Sequence, residues 1–197
     1  MRNENSKISE YASKYNAYKH EEANKLKKKN ENNEIAIREL SQNTIQGLPA
    51  QYVKNWQEAI NIAWEVSKDG TCPRRKVGAI FVRESDGLVL ATGYNSAPPG
   101  LLTCLQDGCI IENHDGDERC IRTLHAEKYA RLNLDKCGIS PDGLTLVTTC
   151  RPCHVCARDL AAWKISRVVY SGNDPLGWSK DVLVTSGIEL LRVDRED

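Results

Sequence analysis

Two short motifs constrain this chain most strongly: H-A-E at residues 125–127 and P-C-H-V-C at residues 152–156. Together they offer one imidazole and two thiols, which are ligand types that zinc binds in tetrahedral sites. A site with three protein ligands leaves the fourth position of the metal open, as in catalytic zinc sites. The chain is therefore expected to fold so that His125, Cys153 and Cys156 meet around one zinc ion.

The carboxylate of Glu127 adds a reaction chemistry to this predicted metal site. Zinc lowers the pKa of a bound water from about 15.7 to about 7, which makes a nucleophile able to attack C4 of cytosine. Loss of ammonia then requires proton transfers, and a carboxylate beside the metal can carry them. The order H-x-E…P-C-x-x-C is identified as the signature of zinc-dependent nucleobase deaminases. Either motif alone is ambiguous, because H-x-E is common on surface helices and C-x-x-C also forms structural zinc sites or redox pairs.

Alternating strand and helix patterns predict the fold class. The predicted strands span 76–82, 88–92, 144–149, 167–170 and 189–193, and the predicted helices span 52–66, 124–136, 152–163 and 178–185. This order predicts an α/β three-layer αβα sandwich with a mixed five-stranded sheet, in which the last three strands are parallel. The segment from 95 to 123 carries no predicted element. Both metal-binding motifs fall at helix N-termini, where the helix dipole favours thiolates.

Composition limits the partners and the cellular compartment. The chain has 27 basic and 27 acidic residues, and this neutral balance makes nucleic acid an unexpected partner. We expect no membrane span, because no run of 18 apolar residues occurs. The N-terminus lacks the apolar core of a signal peptide, so a cytoplasmic location is expected. The eight cysteines would then meet a reducing environment, where clustered thiols more often bind metal than form disulfides.

The first part of the chain differs in composition from the rest. Residues 1–47 are rich in Asn, Lys and Glu and contain few large apolar side chains. This composition predicts a polar N-terminal arm that is disordered or loosely helical. Residues 48–197 are predicted to form the folded zinc-dependent domain, which begins near G-L-P at 47–49.

Segments beyond the metal motifs resemble the deoxycytidylate (dCMP) deaminase family. They are TCPRRKVGA at 71–79, ATGYN at 91–95, CIRTLHAE at 120–127, RVVY at 167–170 and SGI at 186–188. The resemblance covers about residues 52–193 and implies the cytidine deaminase fold and a catalytic zinc on His125, Cys153 and Cys156. It also implies that Glu127 moves protons, that dCMP becomes dUMP for thymidylate synthesis, and that the protein is a homo-oligomer, with a hexamer as one form.

The resemblance also bears on substrate binding. It implies a substrate contact at Asn95, although an asparagine here could equally be a turn residue after a strand. A monophosphate needs cations, and the candidates are Arg74, Arg75, Lys76 and Arg122. Arg122 is favoured because it stands three residues before His125. The chain departs from the family pattern at Tyr129, where the family has asparagine, and at Ser96, where it has glycine. These departures leave the metal chemistry intact and leave the substrate open, with dCTP as the main rival.

A second group of cysteines predicts a second metal site. Cys104, Cys109 and Cys120 lie in the unassigned segment, and Cys72 is a fourth member. Four thiolates would hold a structural zinc that clamps this long segment. The alternatives are independent buried thiols, or His114 in place of one cysteine.

Three functions remain to be distinguished at this point. The first is an enzyme that deaminates a free cytosine nucleotide such as dCMP. The second is a deaminase of nucleic-acid bases, which shares the zinc motif, and the third is a non-catalytic zinc-binding regulatory module. Neutral charge disfavours the second, and an intact Glu127 disfavours the third because a structural site does not require it.

Overall fold

Five strands form one mixed sheet in the computed structural model, which describes residues 50–114, 117–173 and 177–195. Two more strands form a separate small sheet. In chain order, the strands of the described residues are β1 (Gly78–Arg83), β2 (Leu88–Tyr94), β3 (Ile111–His114), β4 (Asp117–Cys120), β5 (Thr145–Thr148), β6 (Arg167–Tyr170) and β7 (Glu189–Arg192). The main sheet has the order β2-β1-β5-β6-β7. Strand β1 is antiparallel to β2 and β5, whereas β5, β6 and β7 are parallel. The predicted mixed sheet with three parallel strands is confirmed.

Helices cover both faces of this sheet. They are α1 (Trp56–Ser67), α2 (Cys104–Asp107), α3 (Ala126–Lys136), α4 (His154–Ala162) and α5 (Gly177–Thr185). Successive side chains of a strand point to opposite faces, so Ile80 joins the core beneath α1, whereas Phe81 joins the core beneath α3 and α4. These two apolar cores, one on each face, confirm the predicted three-layer sandwich. None of the described helices is long and apolar enough to span a membrane.

Two glycines let helices approach the sheet at one end. A Cβ at Gly78 would lie 2.0 Å from the carbonyl oxygen of Ala63 in α1. A Cβ at Gly93 would lie 2.1 Å from the amide nitrogen of Ala130 in α3. Both distances are far inside van der Waals contact, so any larger residue would push a helix away from the sheet. Gly93 therefore sets the distance between the sheet and α3, the helix that follows His125 of the H-A-E motif.

The segment between β2 and α3 contains elements that the sequence did not predict. It holds the one-turn helix α2 and a separate two-stranded sheet in which β3 and β4 are antiparallel. The sequence of this hairpin, IENHDGDERC, is mostly polar and lacks the apolar alternation of a half-buried strand. The predicted N-terminal arm at 1–47, and its boundary with the domain at 48, lie outside the described residues.

The starts of two helices differ from the prediction in a way that matters for the metal site. Helix α3 begins at Ala126, so His125 is its N-cap residue. Helix α4 begins at His154 with Cys153 as its N-cap, so Pro152 lies outside the helix and not in its first turn. Cys153 is therefore the N-cap residue of α4, and Cys156 is the third residue of that helix.

Candidate active site

Three predicted zinc ligands converge between the N-termini of α3 and α4. The Nδ1 atom of His125 lies 3.5 Å from the Sγ atom of Cys153 and 3.3 Å from that of Cys156. Tetrahedral zinc with bonds of about 2.0 Å to nitrogen and 2.3 Å to sulfur separates such ligand atoms by about 3.6 Å. The three atoms all lie within 4.8 Å of one another. The donor set and its spacing therefore fit zinc.

The positions of His125 and Cys153 at the helix ends bring these side chains together. Each is an N-cap residue in extended conformation, and neither side chain makes a capping hydrogen bond. The two side chains instead approach each other, with the Sγ atom of Cys153 3.5 Å from the Nδ1 atom of His125. The hydrogen bonds from Cys156 and His125 lower the pKa of the Cys153 thiol to about 3. A thiolate at Cys153 is the form that binds metal.

Glu127 lies in the first turn of α3, beside the ligand trio. Its side chain is buried, with only 4% exposure. Burial raises the pKa of Glu127 above the ordinary range of a carboxyl group, and the nearby charge of His125 opposes this shift. A buried carboxyl group with a raised pKa accepts and returns protons near neutral pH more readily than an exposed one.

His125, Glu127 and Cys153 line a cleft of about 690 Å³. This volume is in the range of small-molecule sites. Four arginines line the cleft: Arg74, Arg75, Arg119 and Arg151. Thus a neutral chain concentrates positive charge around this cavity, where an anionic substrate would bind.

Asn95 also lines the cleft, but its side chain makes hydrogen bonds to the neighbouring backbone. Its Oδ1 atom accepts a hydrogen bond from the amide of Val77 at 2.8 Å, and its Nδ2 group donates one to the carbonyl oxygen of Arg75 at 2.8 Å. These bonds hold the segment before β1 against the end of β2. The structure therefore places Asn95 at the cleft and shows that it positions this segment. Its role as a substrate contact stays a prediction.

The structure does not place Arg122 at the cleft. Its guanidinium donates to the carbonyl oxygen of Leu102 at 3.1 Å and forms an ion pair with Asp107 at 2.7 Å. Both partners belong to the segment around α2, and Arg122 is not among the residues that line the cleft. Sequence proximity to His125 was misleading because the direction of the side chain depends on how this segment folds.

The second group of cysteines also comes together. The Sγ atoms of Cys72 and Cys109 are 3.7 Å apart, and those of Cys104 and Cys120 are 3.5 Å apart. All four sulfur atoms lie within 4.8 Å of one another. Zinc with four thiolates separates its sulfur atoms by about 3.8 Å. The four-cysteine cluster (these four residues) thus fits a zinc ion, and the alternative ligand His114 has a side chain outside those described.

The family of the chain follows from comparison of its sequence with known proteins. The model of the cytidine and deoxycytidylate deaminase zinc-binding region matches residues 53–172. The chain belongs to this family. These deaminases are zinc-dependent hydrolases, and the zinc cofactor predicted from the two motifs is confirmed by this membership and by the groups of ligands in the structure.

Individual relatives match different shares of the chain. ComE operon protein 2 of Bacillus subtilis is 38% identical over 128 residues, which cover 64% of this chain and 65% of that protein. The deoxycytidylate deaminase of Saccharomyces cerevisiae is 36% identical over 115 residues, 57% of this chain and 36% of that enzyme. That of phage T4 is 28% identical over 176 residues, 70% of this chain and 89% of that enzyme. The match therefore spans less than two thirds of the first two relatives.

Solved deaminase structures share the fold. The dCMP deaminase of cyanophage S-TIM5, in complex with dCMP and dUMP, aligns with a TM-score of 0.57 at 30% identity, covering 73% of this chain and 100% of that chain. A bifunctional deaminase and reductase of Thermotoga maritima aligns with a TM-score of 0.50 at 23% identity, covering 70% of this chain and 36% of that one. The similarity to the Thermotoga maritima protein, at 23% identity, shows a shared fold and no more. The predicted cytidine deaminase-like fold is confirmed.

Sequence reasoning missed several residues of the deaminase cleft. Arg119 and Arg151 each stand within two residues of a predicted metal ligand, and that proximity was the available signal. Trp178 also lines the cleft, and its ring lies 6.4 Å from that of His154 and 5.8 Å from the guanidinium of Arg158. No pattern in the sequence pointed to Trp178, because an exposed aromatic residue at a helix start has no distinctive spacing.

Proposed function

We propose that this protein hydrolyses dCMP to dUMP and ammonia, with zinc bound by His125, Cys153 and Cys156. The observation that carries this proposal is the buried carboxyl group of Glu127 beside three convergent zinc ligands in an arginine-lined cleft. The relatives named deoxycytidylate deaminase, and the cyanophage enzyme bound to dCMP and dUMP, support the choice of substrate.

Glu127 has the central part in the proposed reaction. Zinc held by His125, Cys153 and Cys156 would lower the pKa of a water molecule, the source of the oxygen that replaces the amino group at C4 of cytosine. Glu127 takes a proton from this water and delivers it to the ring nitrogen N3. It then carries the second water proton to the departing amino group, which leaves as ammonia. Burial suits Glu127 to this task because its raised pKa lets the carboxyl group hold each proton between transfers.

The arginines of the cleft are the proposed phosphate ligands. Arg74, Arg75 and Arg119 lie on the two segments that flank the cleft, before β1 and at the end of β4. Guanidinium groups bind phosphate through two parallel hydrogen bonds. A charge-assisted hydrogen bond contributes about 1.5–3 kcal/mol, so its loss lowers catalytic efficiency by roughly tenfold or more.

A second, structural zinc on the four-cysteine cluster is the proposed role of Cys72, Cys104, Cys109 and Cys120. The sulfur spacing supports it, as does the origin of the thiols in segments far apart along the chain. Two zinc ions per chain are therefore expected when the purified protein is measured by metal analysis. A value of one would restrict metal binding to the active site.

The wider setting of the reaction is also a proposal. Product dUMP would feed thymidylate synthesis in the cytoplasm, as the family resemblance implies. The protein would act as a homo-oligomer, and sedimentation analysis of the zinc-loaded protein measures its size directly.

An ammonia-release assay with dCMP, dCTP, deoxycytidine and a cytosine-containing oligonucleotide tests the proposed function. We expect dCMP to be the best substrate and deoxycytidine to be at least about tenfold less efficient. Glu127→Gln keeps the size of the side chain and should retain zinc while the rate falls by about 10²–10⁴-fold. Glu65→Gln, at an exposed position on α1, is the matched control and should keep full activity. Equal efficiency on dCMP and deoxycytidine would overturn the choice of substrate.

A further inference from the structure

The four-cysteine cluster is part of the boundary of the active-site cleft. Cys72 and Cys120 line the cleft together with His125 and Glu127, whereas Cys104 and Cys109 do not. One sulfur site is thus built from two thiols at the cleft, one in the short helix α2 (Cys104) and one just after that helix (Cys109). Any change in this cluster therefore acts directly on the boundary of the cavity.

The same two segments that bring cysteines to the cluster bring arginines to the cleft. Arg74 and Arg75 follow Cys72 by two and three residues, and Arg119 immediately precedes Cys120. We call these three arginines the arginine wall. The two segments also meet directly, since the guanidinium of Arg74 lies 3.4 Å from the carboxylate of Glu118. This pair is exposed and contributes little to stability by itself.

Apolar burial does little to hold one side of the arginine wall in place. Between residues 98 and 123, among the residues whose exposure is defined, only Cys104 is buried. The large apolar side chains Leu101 and Leu105 are 64% and 67% exposed. Fixing each residue of such a segment costs about 1–2 kcal/mol of backbone entropy. Metal binding can offset this cost, because in small metal-bound segments the binding free energy is folding free energy.

We propose that a metal ion on the four-cysteine cluster fixes the arginine wall, so that affinity for the phosphate of the substrate depends on this ion. The inference rests on the proposed function, since it takes a nucleoside monophosphate as the ligand. Cys72 and Cys120 are positioning residues here. With the ion bound, the two arginine-bearing segments are held at a fixed separation and phosphate binds to a preorganised site. Without the ion, each phosphate contact must also order the segment that carries it.

Equilibrium binding of the product tests this coupling without turnover. The double variant Cys104→Ser with Cys109→Ser removes two thiols that do not line the cleft, and calorimetry measures its affinity for dUMP and for deoxyuridine. We expect zinc to fall from two to one per chain and the Kd for dUMP to rise at least about tenfold, as for one misplaced charged contact. Deoxyuridine has no phosphate, so its Kd should change by less than about threefold between the wild type and the double variant.

Two further variants separate the ion from the fold. Cys137→Ser removes a thiol outside both metal-binding groups and should change neither zinc content nor affinity. Cys109→His keeps four ligands of a kind that zinc accepts and should retain both the second zinc and tight dUMP binding. Retention of one zinc and of deoxyuridine affinity in the double variant shows that the domain is folded.

Three results would overturn the inference. If the wild type and the double variant hold the same amount of zinc, the cluster binds no metal. If zinc is lost while dUMP affinity stays the same, the ion does not govern the arginine wall. If the wild type binds dUMP no better than deoxyuridine, the proposed substrate is wrong and the inference falls with it.

Discussion

Replacement of Gly93 by alanine tests whether the position of α3 sets the geometry of the active site. Gly93 lies in β2, buried beneath α3, and pairs with Ala79 of β1. An added Cβ would lie 2.1 Å from the amide nitrogen of Ala130 and 2.6 Å from the carbonyl oxygen of Ala126. These neighbours are helix backbone atoms and cannot rotate away as a side chain could. The helix as a whole must therefore move by more than 1 Å to restore ordinary contact, which begins at 3.4 Å.

The size of the effect follows from this displacement. Overpacking in a core costs about 1–3 kcal/mol, and each kcal/mol lowers the melting temperature of a domain of this size by about 2–4 °C. Ala126 lies between His125 and Glu127, so the shift also moves a proposed zinc ligand and the carboxyl group proposed to transfer protons. A misplacement of about 1 Å can lower a rate on the order of 100-fold.

Urea unfolding and deamination rates measure the two consequences separately. Both proteins are kept in the same excess of zinc, so that metal binding contributes equally to each free energy of unfolding. Gly177→Ala is the matched control, because a Cβ at this exposed start of α5 meets nothing within 4 Å. It should leave activity unchanged and alter stability by no more than about 1 kcal/mol, in the stabilising direction. A Gly93→Ala protein as stable and as active as the wild type would show that α3 does not rest on this glycine.

Three further predictions follow from the site and from the composition of the chain. Cys156→Ser should abolish activity and remove the active-site zinc, because two remaining ligands hold zinc poorly; unchanged zinc content in metal analysis would place the ligands elsewhere. Arg75→Ala should lower efficiency on dCMP by at least about tenfold with little effect on deoxycytidine, and an equal loss on both substrates would argue against a phosphate contact. Deletion of residues 1–45 should leave a zinc-loaded domain with an unchanged melting temperature, because the segment is polar; a lower melting temperature or a smaller oligomer would give the arm a structural role.

Some features of the active site could be predicted from sequence because the chemistry is local. Few kinds of site combine a histidine, two cysteines and a carboxylate. Their order along the chain favours a fold that brings the N-termini of two helices together. The sheet followed from apolar strands with clear boundaries, such as the strand at 167–170, which was predicted with its observed ends. Apolar periodicity carries this information because burial fixes which face of an element points inward.

Other features depended on contacts between distant segments. The hairpin of β3 and β4 is polar and forms its own small sheet, so no apolar pattern marked it. The direction of the Arg122 side chain is set by its hydrogen bond to Asp107, which lies 15 positions away in a segment without predicted structure. For the four-cysteine cluster the sequence left the fourth ligand open, and the structure brings Cys72 close to the other three. Asn95 was predicted as a substrate contact, but its role in holding the segment before β1 could not be inferred without the register of the strands.

The two helix starts at the active site show where activity and stability favour different residues. Ser, Thr, Asp and Asn are preferred at N-caps because their oxygens accept hydrogen bonds from the first helix amides, which is worth about 0.5–2 kcal/mol. His125 and Cys153 occupy both N-caps here and make no such bond. Selection for a stable zinc-free fold alone would therefore favour Ser, Thr, Asp or Asn at these two positions. Under the proposed zinc-binding roles, these are two positions at which catalysis and helix stability favour different residues, so redesign for thermal stability alone would remove the site at these positions first.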